Sequence, residues 1–141
     1  MVRVNLINPK FLSDQHLIAE YNEILMLVSY IKKHQKIKEQ PKEYVLGRGH
    51  MLFFKNKLLY LKKRHELLKE EMRKRGFKTE KTISLEDFDD NLKKDYKPDK
   101  KAISKIKERL IYKLKLKKDF YRYYREKKNQ KFFIEMIKKA K

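Results

Sequence analysis

The amines of this chain are where chemistry is first to be sought, since 39 Lys and Arg stand against 19 Asp and Glu and there is no Cys. A nucleophilic amine must be unprotonated, and an ordinary Lys, with a pKa of about 10.4, almost never is near neutrality. An α-amine, at about 7.7–8.0, is free on the order of a tenth of the time at pH 7. Cations nearby disfavour its protonated form further, and Arg3 stands close to the terminus. Val2 is small enough for an initiator Met to be trimmed in front of it, which makes the Val2 amine the prospective terminus. Other catalytic sets are weak. His16, His34, His50 and His65 are scattered without metal-ligand spacing, and no Cys assists them. Gly47-x-Gly49 is too short for a nucleotide-binding loop. The expectation is therefore metal-free chemistry without a cofactor.

Charge narrows the partner. A net charge of +20 attracts polyanions, of which nucleic acid is the commonest for a soluble protein. An anionic membrane surface is the other candidate. The longest apolar run, Ile24 to Val28, falls far short of the ~20 residues of a membrane span. The N-terminus also lacks the basic region, apolar run and cleavage site of a secretory signal. Absence of Cys fits a reducing interior. These features predict a soluble, cytoplasmic protein with no membrane partner. A ribosomal or chromatin protein would have the same charge, so composition alone leaves a non-catalytic nucleic-acid-binding protein open.

Helices must position these groups, because three Gly and three Pro barely punctuate the chain. Ser13 is placed to cap a helix beginning near Asp14, along which Leu17, Tyr21, Ile24, Val28 and Ile31 form an apolar stripe. Gln15, His16, Ala19, Asn22, Glu23 and Met26 lie on its other side. Lys36 to Glu43 reads as a connecting loop. A second helical region opens at Gly47-Arg48-Gly49-His50 and continues through Phe53, Phe54, Leu58, Leu61, His65, Leu68 and Met72 to a stop at Gly76. Residues 77–99 are acidic and irregular, with a short helix after Ser84. A third helix fits Lys100 to about Lys118, and a tail follows in which Phe132, Phe133, Met136 and Ile137 suggest a short amphipathic helix. The chain thus reads as one all-α domain over 1–141, with three main helices, irregular connections and a basic tail at 125–141.

Several of these segments together resemble one family. Arg3, Asn5, Leu6, the run Asp14 to Leu17, Ala19 to Tyr21 and Glu23 stand as in the pyrimidine-dimer DNA glycosylases, the phage endonuclease V type of repair enzyme. Val45-Leu46-Gly47-Arg48-Gly49-His50, then Phe53-Phe54 and Lys57-Leu58, look like that family's Gly-x-Gly-His segment and the helix after it. Lys63-Arg64, Lys74-Arg75-Gly76-Phe77, Asp95-Tyr96-x-Pro98 and Arg109-Leu110-x-x-Lys113 follow in order. Phe120-Tyr121-Arg122-Tyr123-Tyr124 stands where the family has Trp-Tyr-Lys-Tyr-Tyr, so the resemblance covers roughly 2–124. Two positions depart from it: Asn22 and Met26 occupy places where the family has arginine.

The resemblance implies a DNA glycosylase with abasic-site lyase activity, acting on pyrimidine dimers in duplex DNA through an imine formed by the terminal amine. Removal of Met1 is a condition of that mechanism. Val2 would carry the nucleophile and Glu23 the catalytic carboxylate, with Arg3, His16, Asn22 and Met26 lining the site. Gln15, Gly47, Arg48, Gly49, His50, Arg109, Lys113, Tyr121, Arg122, Tyr123 and Tyr124 would meet DNA. Each has a plainer reading: Glu23 as a solvated helix charge, the glycines as a helix-entry loop, and the aromatic cluster as core packing. Arg109 and Lys113, as i,i+4 neighbours, would reach one phosphate track from one helix face. A monomer with no obligate protein partner is expected. Asn22 and Met26 motivate an alternative, a lyase or glycosylase for abasic sites or another damaged base.

Overall fold

The computed structural model describes residues 2–141; Met1, on whose removal the terminal-amine reading depends, lies outside the described residues. A 3-10 turn, Pro9–Phe11, leads into α1, Asp14–Lys33. The short α2, His50–Phe54, precedes α3, Leu58–Lys74, and α4 spans Lys100–Leu116. A hairpin of β1, Arg122–Tyr123, and β2, Glu126–Lys127, joins α4 to α5, Gln130–Lys139. The fold is all-α, with α1, α3 and α4 as the three long helices. Among the described residues no helix is long and apolar enough to cross a membrane.

The expected start of α1 holds in detail. The Ser13 hydroxyl accepts from the His16 N–H at 3.1 Å, and Asp14 puts a negative charge on the first turn, where the helix dipole favours it. Ser13→Ala should cost about 1 kcal/mol, read as a lower urea midpoint with an unchanged slope. The apolar stripe of α1 is rotated from the one expected. Leu17, Tyr21, Ile24, Leu27 and Ile31 are buried, while Val28 is only partly so. This rotation carries Glu20 into the interior with them, 1 % exposed. The second helical region is two helices, because the chain turns at Lys55 to Lys57 before α3 begins. Its stripe from Phe53 to Met72 is buried throughout as expected.

The hairpin is an unusual piece of backbone. Tyr124 and Arg125, its two turn residues, have φ of 50° and 68°, values that favour Gly or Asn. Asp14 offsets this strain, since its carboxylate accepts the Tyr124 N–H at 3.1 Å and the Arg125 N–H at 2.7 Å. The same carboxylate takes an ion pair from buried Arg75 at 3.0 Å. The tail beyond the hairpin is not a loose basic extension. α5 docks on α4 with Phe133 and Ile137 fully buried, and Gln130 donates to the Leu114 carbonyl.

Candidate functional site

The N-terminal segment is fastened into the interior residue by residue. Val2 and Val4 are buried apolar anchors. The Arg3 N–H donates to Glu23 Oε1 at 2.8 Å. The Val4 N–H donates to His50 Nε2 at 2.9 Å, and its carbonyl accepts from the Tyr44 hydroxyl at 2.9 Å. Asn5 Nδ2 donates to Glu20 Oε1 at 2.9 Å, and Glu20 is held in turn by Arg64. At Leu6 the backbone turns through φ 62°, closed by a bond from the Ile7 N–H to the Asn5 carbonyl at 2.6 Å. The geometry matches a γ-turn of the strained kind, which persists only where its surroundings over-determine it. The result is that the backbone at Arg3 is held on one carboxylate, that of Glu23.

Glu23 stands at the edge of a cleft of about 530 Å³ between α1 and α4. Arg3, Gln15, His16, Ala19 and Glu23 form one side; Arg109, Lys113 and Leu116 come from α4 and Lys117 from its C-cap, and Phe120 and Tyr121 close the end. Four cations therefore share the cleft with one acid. Burial, and then Arg109, lowers the pKa of the Arg3 guanidinium. Lys113 is lowered first by Arg109 and then by burial and Arg3. Burial raises the Glu23 carboxyl above its usual range, outweighing the Arg3 N–H that stabilises the anion. A cleft with this balance attracts an anion and holds a carboxyl that keeps its proton to a higher pH than an exposed glutamate does.

His16 sits inside the same cleft against the Tyr121 ring, 4.8 Å between centroids. Burial, with Arg3 and Lys113 nearby, lowers its pKa to about 4, so the imidazole is neutral at physiological pH. The sign of the pH effect follows. The unfolded ring binds a proton near pH 6.5 and the folded one only near 4, so its stabilising contribution is complete above about 6.5 and is lost as pH falls toward 4. His16→Gln should flatten that part of a stability–pH curve taken from urea midpoints.

The other residues marked in the sequence fall in different places. Gln15 reaches the cleft, but its amide is engaged with backbone: Nε2 donates to the Phe120 carbonyl and Oε1 accepts from the Arg122 N–H. His50 is 2 % exposed with both ring nitrogens in use, Nδ1 meeting the Val45 carbonyl at 2.8 Å. It holds the N-terminal segment rather than facing outward. Gly47 and Arg48 are exposed, whereas Gly49 turns at φ 93° with no space for a side chain, since a Cβ there would lie 3.1 Å from Pro41. Tyr123 and Tyr124 pack on the buried Arg75 guanidinium and bond to the Lys10 carbonyl and the Glu71 carboxylate. Arg122 is exposed on the hairpin.

Asn22 is exposed on α1 beside the cleft without lining it. Met26, 59 % exposed, borders a separate shallow hollow with Tyr30, Lys33 and His34. Leu116, Lys117 and Phe120 line the cleft without having been singled out as site residues. Their signal was present: Arg109, Lys113, Leu116 and Lys117 recur at the spacing of one helix face.

The described N-terminal segment thus brings the Arg3 N–H to a half-buried carboxyl at a cleft rich in cations. The comparison with known proteins agrees at the level of family. A sequence model described as pyrimidine dimer DNA glycosylase matches residues 1–85, which contain the N-terminal segment, α1, α2 and α3. With more than half of its length matched in this way, the chain belongs to the pyrimidine dimer DNA glycosylase family.

Proposed function

We propose that the protein excises pyrimidine dimers from duplex DNA and then cleaves the strand at the resulting abasic site, using the Val2 α-amine exposed by removal of Met1. The observation that carries this reading is the 2.8 Å bond from the Arg3 N–H to Glu23, which fixes the chain one residue from the prospective amine onto the carboxylate. The lone pair of the amine forms a bond to C1′ of the damaged nucleotide. The C1′–N glycosidic bond breaks, and its electron pair leaves with the base, which takes up a proton. Loss of a proton from nitrogen and opening of the sugar ring give an imine. Removal of a C2′ proton then expels the 3′ phosphate, cutting the strand by β-elimination. Glu23 stabilises the positive sugar and carries the protons. Arg3, Arg109, Lys113 and Lys117 hold the phosphates around it.

Asn22 and Met26 bear on a second reading. Neither lines the cleft, and the α1 surface beyond Glu23 is less cationic than the family pattern, which favours retained strand cleavage over dimer recognition. A duplex carrying one abasic site and an irradiated duplex separate the possibilities. Cleavage of both supports dimer excision, and cleavage of the abasic duplex alone supports a lyase or a glycosylase for another base. Steeply salt-dependent binding with no cleavage of either would overturn both, leaving a nucleic-acid-binding protein.

A further inference from the structure

The tail lies outside the residues matched by the family model, yet it reaches the cleft through a continuous run of rings. Phe133 of α5, 2 % exposed, meets the Tyr121 ring with centroids 6.1 Å apart. Tyr121 in turn meets His16 at 4.8 Å and Phe120 at 5.1 Å, and all three of these residues line the cleft. Three further contacts fix the pieces. Asn129 caps α5 by accepting the Phe132 N–H at 2.8 Å, Gln130 ties the helix to α4, and the Tyr121 hydroxyl donates to the Lys113 carbonyl at 3.3 Å. From the other side Gln15 grips the backbone on both flanks of Tyr121.

We propose that α5 is a positioning element of the cleft: Phe133 supports Tyr121 from behind, so that Tyr121 and Phe120 form a fixed wall opposite Glu23 and close over His16. The wall rests on two supports. Gln15 fixes its backbone from α1, and Phe133 fixes its rings from α5. Without the second support Tyr121 has a void behind it, and both His16 and the exposed face of Phe120 lose their fixed partner. A misplaced wall costs turnover more than affinity, because Arg3, Arg109 and Lys113 lie outside this segment, while Lys117 meets it through its ammonium, 4.5 Å from the Phe120 ring centroid.

The proposal rests on the excision and cleavage reading for its effect on turnover, but not for its effect on His16. The test therefore has two readouts on Phe133→Ala, with Ile137→Ala as a control that opens a void in the same buried face of α5. Phe133→Ala should slow single-turnover cleavage of abasic duplex by on the order of tenfold to a hundredfold, with little change in duplex affinity. By NMR titration it should also raise the His16 pKa from about 4 toward the ordinary imidazole value. Ile137→Ala should do neither. If Phe133→Ala does not fold, Phe133→Leu should move both readouts in the same direction by less. Equal behaviour of the Phe133 and Ile137 variants, or an unmoved His16 titration, would overturn the positioning role. A wild-type protein that cleaves nothing would overturn the function instead, and the His16 titration would still decide the role of α5.

Discussion

Glu23→Gln should lower the single-turnover rate on abasic duplex by about 10²- to 10⁴-fold, the range a positioned acid–base group supplies. Gln retains an oxygen where Glu23 Oε1 accepts the Arg3 N–H, so the N-terminal segment should stay in place. What is lost is the negative charge opposite a developing sugar cation and the capacity to carry a proton. Duplex affinity should change little, because removing the one carboxylate from a cleft of four cations does not weaken its attraction for phosphate. The raised pKa of Glu23 adds a pH signature: the acidic limb of the wild-type rate profile should lie above the ordinary carboxyl range and should vanish in the variant. A loss of less than about tenfold would remove Glu23 from the chemistry.

The largest expected effect on stability lies beneath the site. Glu20 and Arg64 form a fully buried pair, with Arg64 Nε and Nη2 donating to the two carboxylate oxygens at 2.7 and 2.9 Å. Asn5 donates to the same carboxylate, and Arg64 also holds the Ile7 carbonyl, so the pair clamps both sides of the strained turn at Leu6. Glu20→Ala would leave an uncompensated guanidinium in the interior, at a cost of about 3–5 kcal/mol. A combined Glu20→Leu, Arg64→Met variant should recover most of that loss, because desolvation of both charges is then avoided. Its N-terminal segment would nonetheless lack its clamp, so cleavage should remain impaired when stability returns. Urea unfolding of the single and double variants, with rates measured on the same samples, separates the two consequences. Equal losses of stability in both would contradict the account of the pair.

Much of this was legible in the residues. The caps, the three long helices and the stripe from Phe53 to Met72 follow from periodicity and from scarce Gly and Pro, which are local properties. Arg3, Glu23, Arg109 and Lys113, which line one cleft, were picked out by the family resemblance; spacing alone placed only Arg109 and Lys113 on one helix face. What escaped depends on pairing between distant segments. Glu20 was noted only within the run Ala19 to Tyr21, because nothing local says that Arg64, 44 residues on, meets it inside the core. Asp14 read as a helix-terminal charge, and its hold on the backbone at Tyr124 and Arg125 spans more than a hundred residues. His50 sat in a segment thought to face DNA, while its ring turns inward to Val4. The amphipathic helix expected in the tail is α5, but its docking on α4 through Phe133 and Ile137 depends on a pairing that the local pattern does not name.

Several of those long-range contacts hold the N-terminal segment. His50, Tyr44, Glu20 and Arg64 hold Val4, Asn5 and Ile7, the segment on which the proposed mechanism relies to present the Val2 amine. The most direct test is borohydride trapping on an abasic duplex, followed by digestion and mass spectrometry of the adduct. The account predicts a covalent adduct on a peptide that begins at Val2, lost when the terminus is acetylated beforehand. An adduct on a lysine side chain, or one that survives acetylation of the terminus, would contradict it.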